Sequence, residues 1–174
     1  SHANDPSGVI SDVLAFDDAV KTALDFAKKD GNTLVLAFSD HGNGGMSLGS
    51  KMTDKNYDTL PLEALVSPLH NVTVTGEGIE QILAADRSEP NIRQVLETYF
   101  GIFDLTTDEI AAIQKAKKGN MNAVVGPMLS KRSSIGWTTT GHTGEDLFLY
   151  AFGPNAPKGT VENTEIAKIT ANAL

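Results

Sequence analysis

The stretch LVLAFSDH, residues 34–41, decides the fold class of this 174-residue chain. Its first five residues form a short, continuous apolar run, which is typical of a β-strand buried on both faces of a sheet. Polar residues follow directly at the carboxyl end of this run, where open α/β sheets bind their ligands. The stretch therefore predicts a buried strand with a candidate functional site at its end.

Outward from this strand, the flanking sequence predicts helices and one further strand. Residues 12–29 place apolar side chains on one helical face, with Asp17 as a candidate N-cap and Gly31 as the residue that ends the helix. Residues 147–152 form a second apolar run, and residues 163–173 can form a final helix. Because both apolar runs are unsuited to contact with water, we expect the two strands to lie in one sheet, with the two helices packed on its faces.

The block between the two strands has a different character, with turn-rich sequence followed by short helical patterns. Thr106 and Glu109 have the spacing of a capping box at a helix start. The three arginines of the block are expected on its solvent-exposed surface, and they are Arg87, Arg93 and Arg132. The helix candidates are residues 78–86, 90–100, 108–118 and 121–129. The last of these predictions is weakened by an internal Gly-Pro pair. The chain is therefore expected to have an α/β fold with an inserted helical layer.

Composition and charge restrict the function classes. Lys and Arg number 14 and Asp and Glu number 22, so the formal net charge is −8. An acidic chain repels polyanions, which argues against nonspecific binding to nucleic acid or to an anionic membrane surface. The chain contains no cysteine, and this excludes disulfides, cysteine-ligated metal sites and cysteine nucleophiles within it.

Candidate metal ligands lie in the polar segments beside the two strands. Asp40 and His41 are adjacent at the end of the first strand, and His142 precedes the second strand in a Gly-His-Thr-Gly segment. His and Asp are ligands that zinc and similar cations prefer. An Asp-His pair also occurs as a loop turn or a capping pair, and spacing alone leaves both interpretations open. His70 lacks neighbours with ligand spacing, so we interpret it as an exposed or capping residue.

Three motifs occur in order along the chain, each beside a predicted helix or strand, and they are HAN at residues 2–4, Asp40-His41, and HTG at residues 142–144. Together with FAKKDGNTL at residues 26–34 and YAFGP at residues 150–154, they resemble the C-terminal half of a bacterial alkaline phosphatase. The resemblance covers residues 1–45 and 138–174. The block between these segments matches that family in position only.

The resemblance implies a fold and a domain arrangement. It implies part of a three-layer α/β/α alkaline phosphatase-like fold, with residues 1–45 and 140–174 in the core. Residues 46–139 are then an inserted, mainly helical cap, or crown. The resemblance also implies a periplasmic or secreted location. It is compatible with a homodimer of the full-length protein, although the sequence itself does not give the oligomeric state.

The resemblance also implies a chemistry, which is the hydrolysis of phosphate monoesters at two zinc ions, with magnesium in the full-length protein. By similarity, His2 and His142 would bind the first zinc ion, and Asp40 and His41 would bind the second. In this family a serine alkoxide attacks phosphorus, and an arginine fork holds the phosphate.

The chain departs from the family pattern in what it lacks. The family's serine nucleophile, its phosphate-binding arginine and one further aspartate for each zinc ion precede the segment that contains His2. We interpret Ser39 as a structural residue at the strand end, and Asn43 stands where some relatives carry a further histidine. The chain starts at Ser1 without a methionine or a signal-peptide pattern, so we expect a processed chain or a piece of a longer one. Such a fragment is expected to be inactive alone.

Two other functions remain open at this point. The first is another hydrolase of the alkaline phosphatase superfamily, such as a phosphodiesterase or a sulfatase, because these share an Asp-His pair and a later histidine. The second is a non-catalytic module that binds zinc or a protein partner through the inserted helices.

Overall fold

Helix α1, Pro6–Asp30, begins earlier than the sequence predicts. Its N-cap is Asp5, whose Oδ1 accepts hydrogen bonds from the backbone N–H groups of Ser7 at 3.0 Å and Gly8 at 3.3 Å. Proline suits the first helical position, because the N–H that it lacks would have no partner there. The prediction of Asp17 as N-cap is therefore wrong, since that residue lies inside the helix.

The C-terminal end of α1 agrees with the sequence. Gly31 follows the last helical residue with a φ of 74°, and its N–H donates to the carbonyl of Ala27 at 2.9 Å. Lys28 and Lys29 lie in the last turn, where positive charge is favourable. The predicted helix end is confirmed.

The computed structural model describes residues 1–173. They divide into two compact units, which we call the helical unit, residues 1–12 and 43–143, and the sheet unit, residues 13–42 and those from 144 onward. After α1 the elements are, in chain order, β1 (Val35–Ala37), β2 (Gly42–Asn43), β3 (Ser47–Leu48), α2 (Leu62–His70), α3 (Gly76–Ile82), α4 (Glu89–Phe100), α5 (Thr107–Lys115), α6 (Met121–Arg132), β4 (Ile135–Gly136), β5 (His142–Thr143), β6 (Tyr150–Phe152), a 3₁₀ turn (Asn163–Glu165) and α7 (Ile166–Ala173). None of the helices in this described range is long and apolar enough to cross a membrane.

The predicted helices of the inserted block are present, with shifted ends. The capping box at the start of α5 is confirmed, because the side chains of Thr106 and Glu109 each accept a hydrogen bond from the other's backbone N–H. Helix α2 has no counterpart among the predicted helices, since its N-cap position holds Pro61, which offers no side-chain cap, and Pro68 lies within it. The division into a core and a cap at residues 45–46 and 139–140 stays a prediction.

The helical unit has its own hydrophobic core, formed by α3 to α6 and the loops between them. The apolar faces of these helices meet one another, and complete burial of such a side chain contributes about 1.5–3 kcal/mol. The buried members are Ile79, Leu83, Ile92, Val95, Leu96, Phe100, Ile102, Leu105, Ile110, Ile113, Met121, Val125, Met128 and Leu129. Helix α6 contributes four of them, so the helical core holds the helix that directly precedes β4.

Among the three arginines of this block, the prediction of a surface position is wrong for Arg132. It holds for Arg93, whose side chain is 42% exposed. The side chain of Arg132 is only 18% exposed, and its Nη1 and Nη2 donate to the Glu109 carboxylate at 2.8 and 3.0 Å. Its Nε donates to Asp104 at 2.7 Å. Arg87 and Arg93 donate to backbone carbonyls, at the end of α5 and at Leu105 respectively. These bonds join elements that lie far apart in sequence, which residue patterns do not reveal.

The two apolar runs pair in one sheet, as predicted. Strands β1 and β6 are antiparallel, with Val35 opposite Phe152 and Ala37 opposite Tyr150. The expected burial on both faces is wrong, because every residue of β6 is exposed and the Tyr150 side chain is 62% exposed. Within residues 1–173, β1 is the one sheet partner of β6, so the described chain supplies too few neighbours to cover both faces.

The helices of the sheet unit leave its apolar surface largely open. Ala27 of α1 is buried, but Phe16 and Phe26 on the same helix are 50% and 62% exposed. Helix α7 lies across a groove from β1, and none of its described residues is fully buried. The predicted close packing of both helices on the sheet is therefore not found among the described residues.

The backbone of Gly44 lies so close to the side chain of Trp137 that no other residue fits at position 44. Its φ is 75°, and a Cβ there would lie 2.6 Å from Cε3 of Trp137 and 2.6 Å from Oδ1 of Asn4. Trp137 cannot readily move away, because its indole N–H donates to Oγ of Ser130 on α6 at 3.0 Å. The Gly44 backbone is also paired, with the N–H of Gly44 donating to the carbonyl of Gly141 at 2.9 Å. Glycine is thus required by both conformation and space.

The Glu109–Arg132 ion pair should make the stability of the helical unit depend on pH. Hydrogen bonds from Arg132 lower the pKa of Glu109 from 4.5 to about 2. A lowered folded-state pKa stabilises the protein above the unfolded-state value, and this stabilisation disappears as the pH falls from 4.5 toward about 2. We expect the loss of unfolding free energy caused by Glu109→Gln to be about 2 kcal/mol larger at pH 7 than at pH 3. Urea unfolding followed by the fluorescence of Trp137 measures this difference.

The control for that measurement is Asp25→Asn, which removes an exposed carboxylate paired with Lys21 on α1. Its effect on the free energy of unfolding should change little between the two pH values, since exposed pairs contribute little. A Glu109→Gln effect that is the same at pH 7 and pH 3 would contradict the account of this ion pair.

Gly44→Ala should destabilise the helical unit far more than an equivalent change in open space. Gly119 has a φ of 81° and no atom within 4 Å of the position that a Cβ would take, so Gly119→Ala carries the cost of left-handed backbone alone, about 1 kcal/mol. Gly44→Ala adds the collision with Trp137 and Asn4, for a total loss of about 2–4 kcal/mol. Urea unfolding followed by circular dichroism compares the two variants, and equal losses would show that the close approach at Gly44 is unimportant.

Candidate metal centre

Two predicted ligands from opposite ends of the helical unit's sequence lie side by side. Nε2 of His2 is 3.1 Å from Nε2 of His142, and the two rings meet edge to face at 87°. His2 lies in a turn closed by a hydrogen bond from the Asn4 N–H to the Ser1 carbonyl at 3.1 Å, and His142 begins β5. At this separation the two nitrogens either share one hydrogen or converge on one cation. We call these residues the His2–His142 pair.

The turn that carries His2 is anchored by the residue that starts α1. The Asp5 side chain is buried, with 3% of the residue exposed, and its Oδ2 accepts a hydrogen bond from the N–H of Gly76 at the start of α3 at 3.2 Å. On the other side, α6 passes so near that a Cβ on Gly126 would lie 3.2 Å from the carbonyl oxygen of Asn4. Because Gly126 has no side chain, α6 can pack directly against the backbone of Asn4, and this contact fixes the His2 turn.

A pair of asparagine side chains joins the His2 turn to the loops on both sides. Nδ2 of Asn4 donates to the carbonyl of Thr139 at 2.7 Å. Nδ2 of Asn43 donates to Oδ1 of Asn4 at 2.8 Å and to the carbonyl of His2 at 3.0 Å. Sequence reasoning misses both roles, since neither residue is a metal ligand and their partners lie 39 to 135 positions away. The one available signal is the position of Asn4 between a candidate ligand segment and a helix start.

The other predicted ligands, Asp40 and His41, are neighbours in the sheet unit and also contact each other. Oδ2 of Asp40 lies 3.6 Å from Nε2 of His41. Oδ1 of Asp40 accepts a hydrogen bond from the His41 backbone N–H at 3.0 Å, which lowers the pKa of the carboxyl group. Nδ1 of His41 lies 3.0 Å from the carbonyl of Gly42. A carbonyl only accepts, so Nδ1 carries a hydrogen, and Nε2 is the ring nitrogen that lies toward Asp40.

The structure thus brings the four predicted ligands together as two pairs, one in each unit. Whether all four form one centre stays a prediction. Ser39 donates its hydroxyl to the carbonyl of His41 at 2.8 Å, which agrees with a structural role at the strand end. His70 ends α2 and is exposed, as expected.

A cleft of about 770 Å³ opens in the helical unit beside His2. Trp137 and Met52 supply apolar surface to its lining, and Lys51 and Lys131 supply positive charge. The cleft gives a small anionic molecule room to approach His2, in a chain that is acidic as a whole.

Comparison with known proteins agrees with these observations. The chain is 36% identical over 181 residues to "Alkaline phosphatase 3" of Bacillus subtilis, covering 99% of this chain and 37% of that protein. The crystal structure of a cold-active alkaline phosphatase from a psychrophilic Shewanella matches 98% of this chain and 41% of its own with a TM-score of 0.74 at 25% identity. That of Thermus thermophilus alkaline phosphatase matches 99% and 40% with a TM-score of 0.79 at 20% identity, which supports the fold alone.

The chain therefore spans about two fifths of the length of these relatives. Their fold agrees with the α/β class expected from the sequence. The family profile described as alkaline phosphatase matches residues 1–174, and the chain belongs to the alkaline phosphatase family.

Proposed function

We propose that this chain is the C-terminal, metal-binding part of an alkaline phosphatase that hydrolyses phosphate monoesters at two zinc ions. The observation that carries the proposal is the His2–His142 pair, whose Nε2 atoms lie 3.1 Å apart in a member of this family. Phosphatase activity is supported by the similarity of the chain to alkaline phosphatases of Bacillus subtilis and Shewanella. Residues 1–45 and 140–174 would form part of the α/β core, and residues 46–139 the cap.

The residues of both pairs fit zinc in type and spacing. Two ligand atoms, each about 2.0–2.1 Å from a tetrahedral zinc ion, lie about 3.3–3.4 Å from one another. The separation of 3.1 Å between the two imidazoles and that of 3.6 Å between Asp40 and His41 lie on either side of this value. A backbone carbonyl is one of the groups that orient metal-binding histidines through the second ring nitrogen, and Nδ1 of His41 has such a contact. His2 and His142 would hold the first ion, and Asp40 and His41 the second.

When bound, the two ions would stabilise the attacking and leaving oxygens of an in-line displacement at phosphorus. This chain's residues contribute by holding ligand atoms in place. His2 lines a cleft in which Lys51 and Lys131 outnumber Glu77 and can attract the phosphate dianion. The serine nucleophile, the arginine that holds the phosphate, one more aspartate for each zinc ion and the magnesium ligands would come from the rest of the polypeptide.

Two further statements belong to this proposal. The exposed apolar residues of β6 and α1 would be covered by the rest of the α/β core in the complete polypeptide, which can be a homodimer. A periplasmic or secreted location is proposed from membership of the alkaline phosphatase family alone.

His142→Ala should abolish most phosphatase activity of the complete polypeptide, because the first zinc ion would lose one of about three protein ligands. The expected loss in kcat/KM for p-nitrophenyl phosphate is at least about 100-fold, with unchanged circular dichroism. His70→Ala is the matched control, since it removes another exposed histidine of the helical unit and should retain wild-type activity. Steady-state kinetics with added zinc and magnesium, at neutral and alkaline pH, make the comparison.

Wild-type activity that survives complete removal of metal by a chelator would contradict the proposal. So would a His142→Ala enzyme that is as active as His70→Ala.

The 174-residue chain on its own should not hydrolyse phosphate monoesters at a rate comparable to that of the complete polypeptide. Removing several members of a catalytic unit leaves only residual rate acceleration. Here the nucleophile, the phosphate-binding arginine and part of each zinc site would be missing. The measurement is a side-by-side assay of both proteins with added zinc and magnesium. Robust activity of the short chain would show that the nucleophile lies within it, and Ser39→Ala would then be the first variant to test.

A further inference from the structure

The backbone of Asn4 adopts a conformation that most residues avoid. Its φ is 53°, in the left-handed region, where asparagine is several-fold enriched over other non-glycine residues. Asn4 lies two residues after His2 and directly before the Asp5 cap of α1. The left-handed residue therefore turns the chain from the metal-ligand segment into the helix.

The Asn4 amide uses both of its ends to hold neighbouring loops. Its Nδ2 donates to the carbonyl of Thr139, three residues before His142, at 2.7 Å. Its Oδ1 accepts from Nδ2 of Asn43 at 2.8 Å, and the same Asn43 nitrogen donates to the carbonyl of His2 at 3.0 Å. Three chain segments are thus tied at one point, and two of them carry the members of the His2–His142 pair.

Two glycines allow neighbouring segments to approach Asn4 closely. A Cβ on Gly44 would lie 2.6 Å from its Oδ1, and a Cβ on Gly126 would lie 3.2 Å from its carbonyl oxygen. The loop that precedes His142 is held to the same place, because the N–H of Thr138 donates to the carbonyl of Gly44 at 2.8 Å. A shorter side chain at position 4 leaves the Thr139 carbonyl without its Asn4 donor and leaves the Asn43 amide nitrogen with the His2 carbonyl alone.

We infer that Asn4 is a positioning residue that holds the imidazoles of His2 and His142 at the separation needed to bind one zinc ion. The inference rests on the proposed function. Asn4 touches no substrate in this account, and it acts through the backbone on either side of it. Residues that orient metal ligands typically change metal affinity by about 10–100-fold when they are replaced.

The test is Asn4→Gly in the complete polypeptide, because glycine allows the left-handed backbone and removes the side chain that makes the amide hydrogen bonds. Asn155→Gly is the matched control, since Asn155 also has a left-handed backbone, with a φ of 57°, but lies exposed in a turn of the sheet unit. Competition with a chromophoric chelator measures zinc affinity. We expect Asn4→Gly to weaken zinc binding by about 10–100-fold and Asn155→Gly to leave it within about twofold. Added zinc should restore much of the lost activity of Asn4→Gly.

A purely structural role for Asn4 would lower the melting temperature of the metal-free protein without changing zinc affinity, and that result would overturn the inference. If Asn4→Gly does not fold, Asn4→Asp decides the matter, because aspartate keeps the acceptor for Asn43 and loses the donor to Thr139. Weaker zinc binding by Asn4→Asp supports the inference, and wild-type affinity overturns it.

The proposed function fails separately if the wild-type polypeptide neither binds zinc nor hydrolyses p-nitrophenyl phosphate. The positioning role then still has a readout in crystal structures of the metal-free proteins. Separation of the two Nε2 atoms in Asn4→Gly, with the wild-type contact kept in Asn155→Gly, would support it. An unchanged contact in Asn4→Gly would overturn it.

Discussion

The buried carboxylate of Asp5 joins the beginnings of two helices, and the geometry of the candidate metal centre in the helical unit depends on it. One oxygen accepts hydrogen bonds from the backbone N–H groups of the first turn of α1. The other accepts a hydrogen bond from the N–H of Gly76 at the start of α3. A buried carboxylate is costly without such partners, and with them it fixes the chain at one point. The turn that carries His2 ends directly before this point. Its position relative to α6 and to the loop of His142 is therefore set by the helical core.

How well each feature can be predicted from the sequence follows from how local its signal is. Gly31 and the capping box of Thr106 and Glu109 are predicted correctly, because their partners lie within four residues. The sequence does not distinguish Asp5 from Asp17 as the N-cap, since both have the right residue type and the deciding contact with Gly76 is 71 residues away. Arg132 is wrongly expected at the surface for the same reason, as its partners lie 23 and 28 residues back along the chain.

The candidate site shows the same division. The ligand residues can be proposed from motifs and their order, and the structure places them as two contacting pairs. The asparagines that hold the His2 turn cannot be proposed, because an amide hydrogen bond to a distant carbonyl has no signature in a single sequence. Burial is the weakest prediction. The apolar run at 147–152 forms a strand as expected, but burial depends on neighbours that the described residues do not supply.

The central claim is that these two pairs are metal ligands, and anomalous X-ray diffraction at the zinc absorption edge tests it most directly. Crystals of the complete polypeptide grown with zinc should show one anomalous peak about 2.0–2.1 Å from Nε2 of both His2 and His142. A second peak should lie at the same distance from Asp40 and Nε2 of His41. An active, zinc-loaded enzyme with no anomalous peak at either pair would contradict the account.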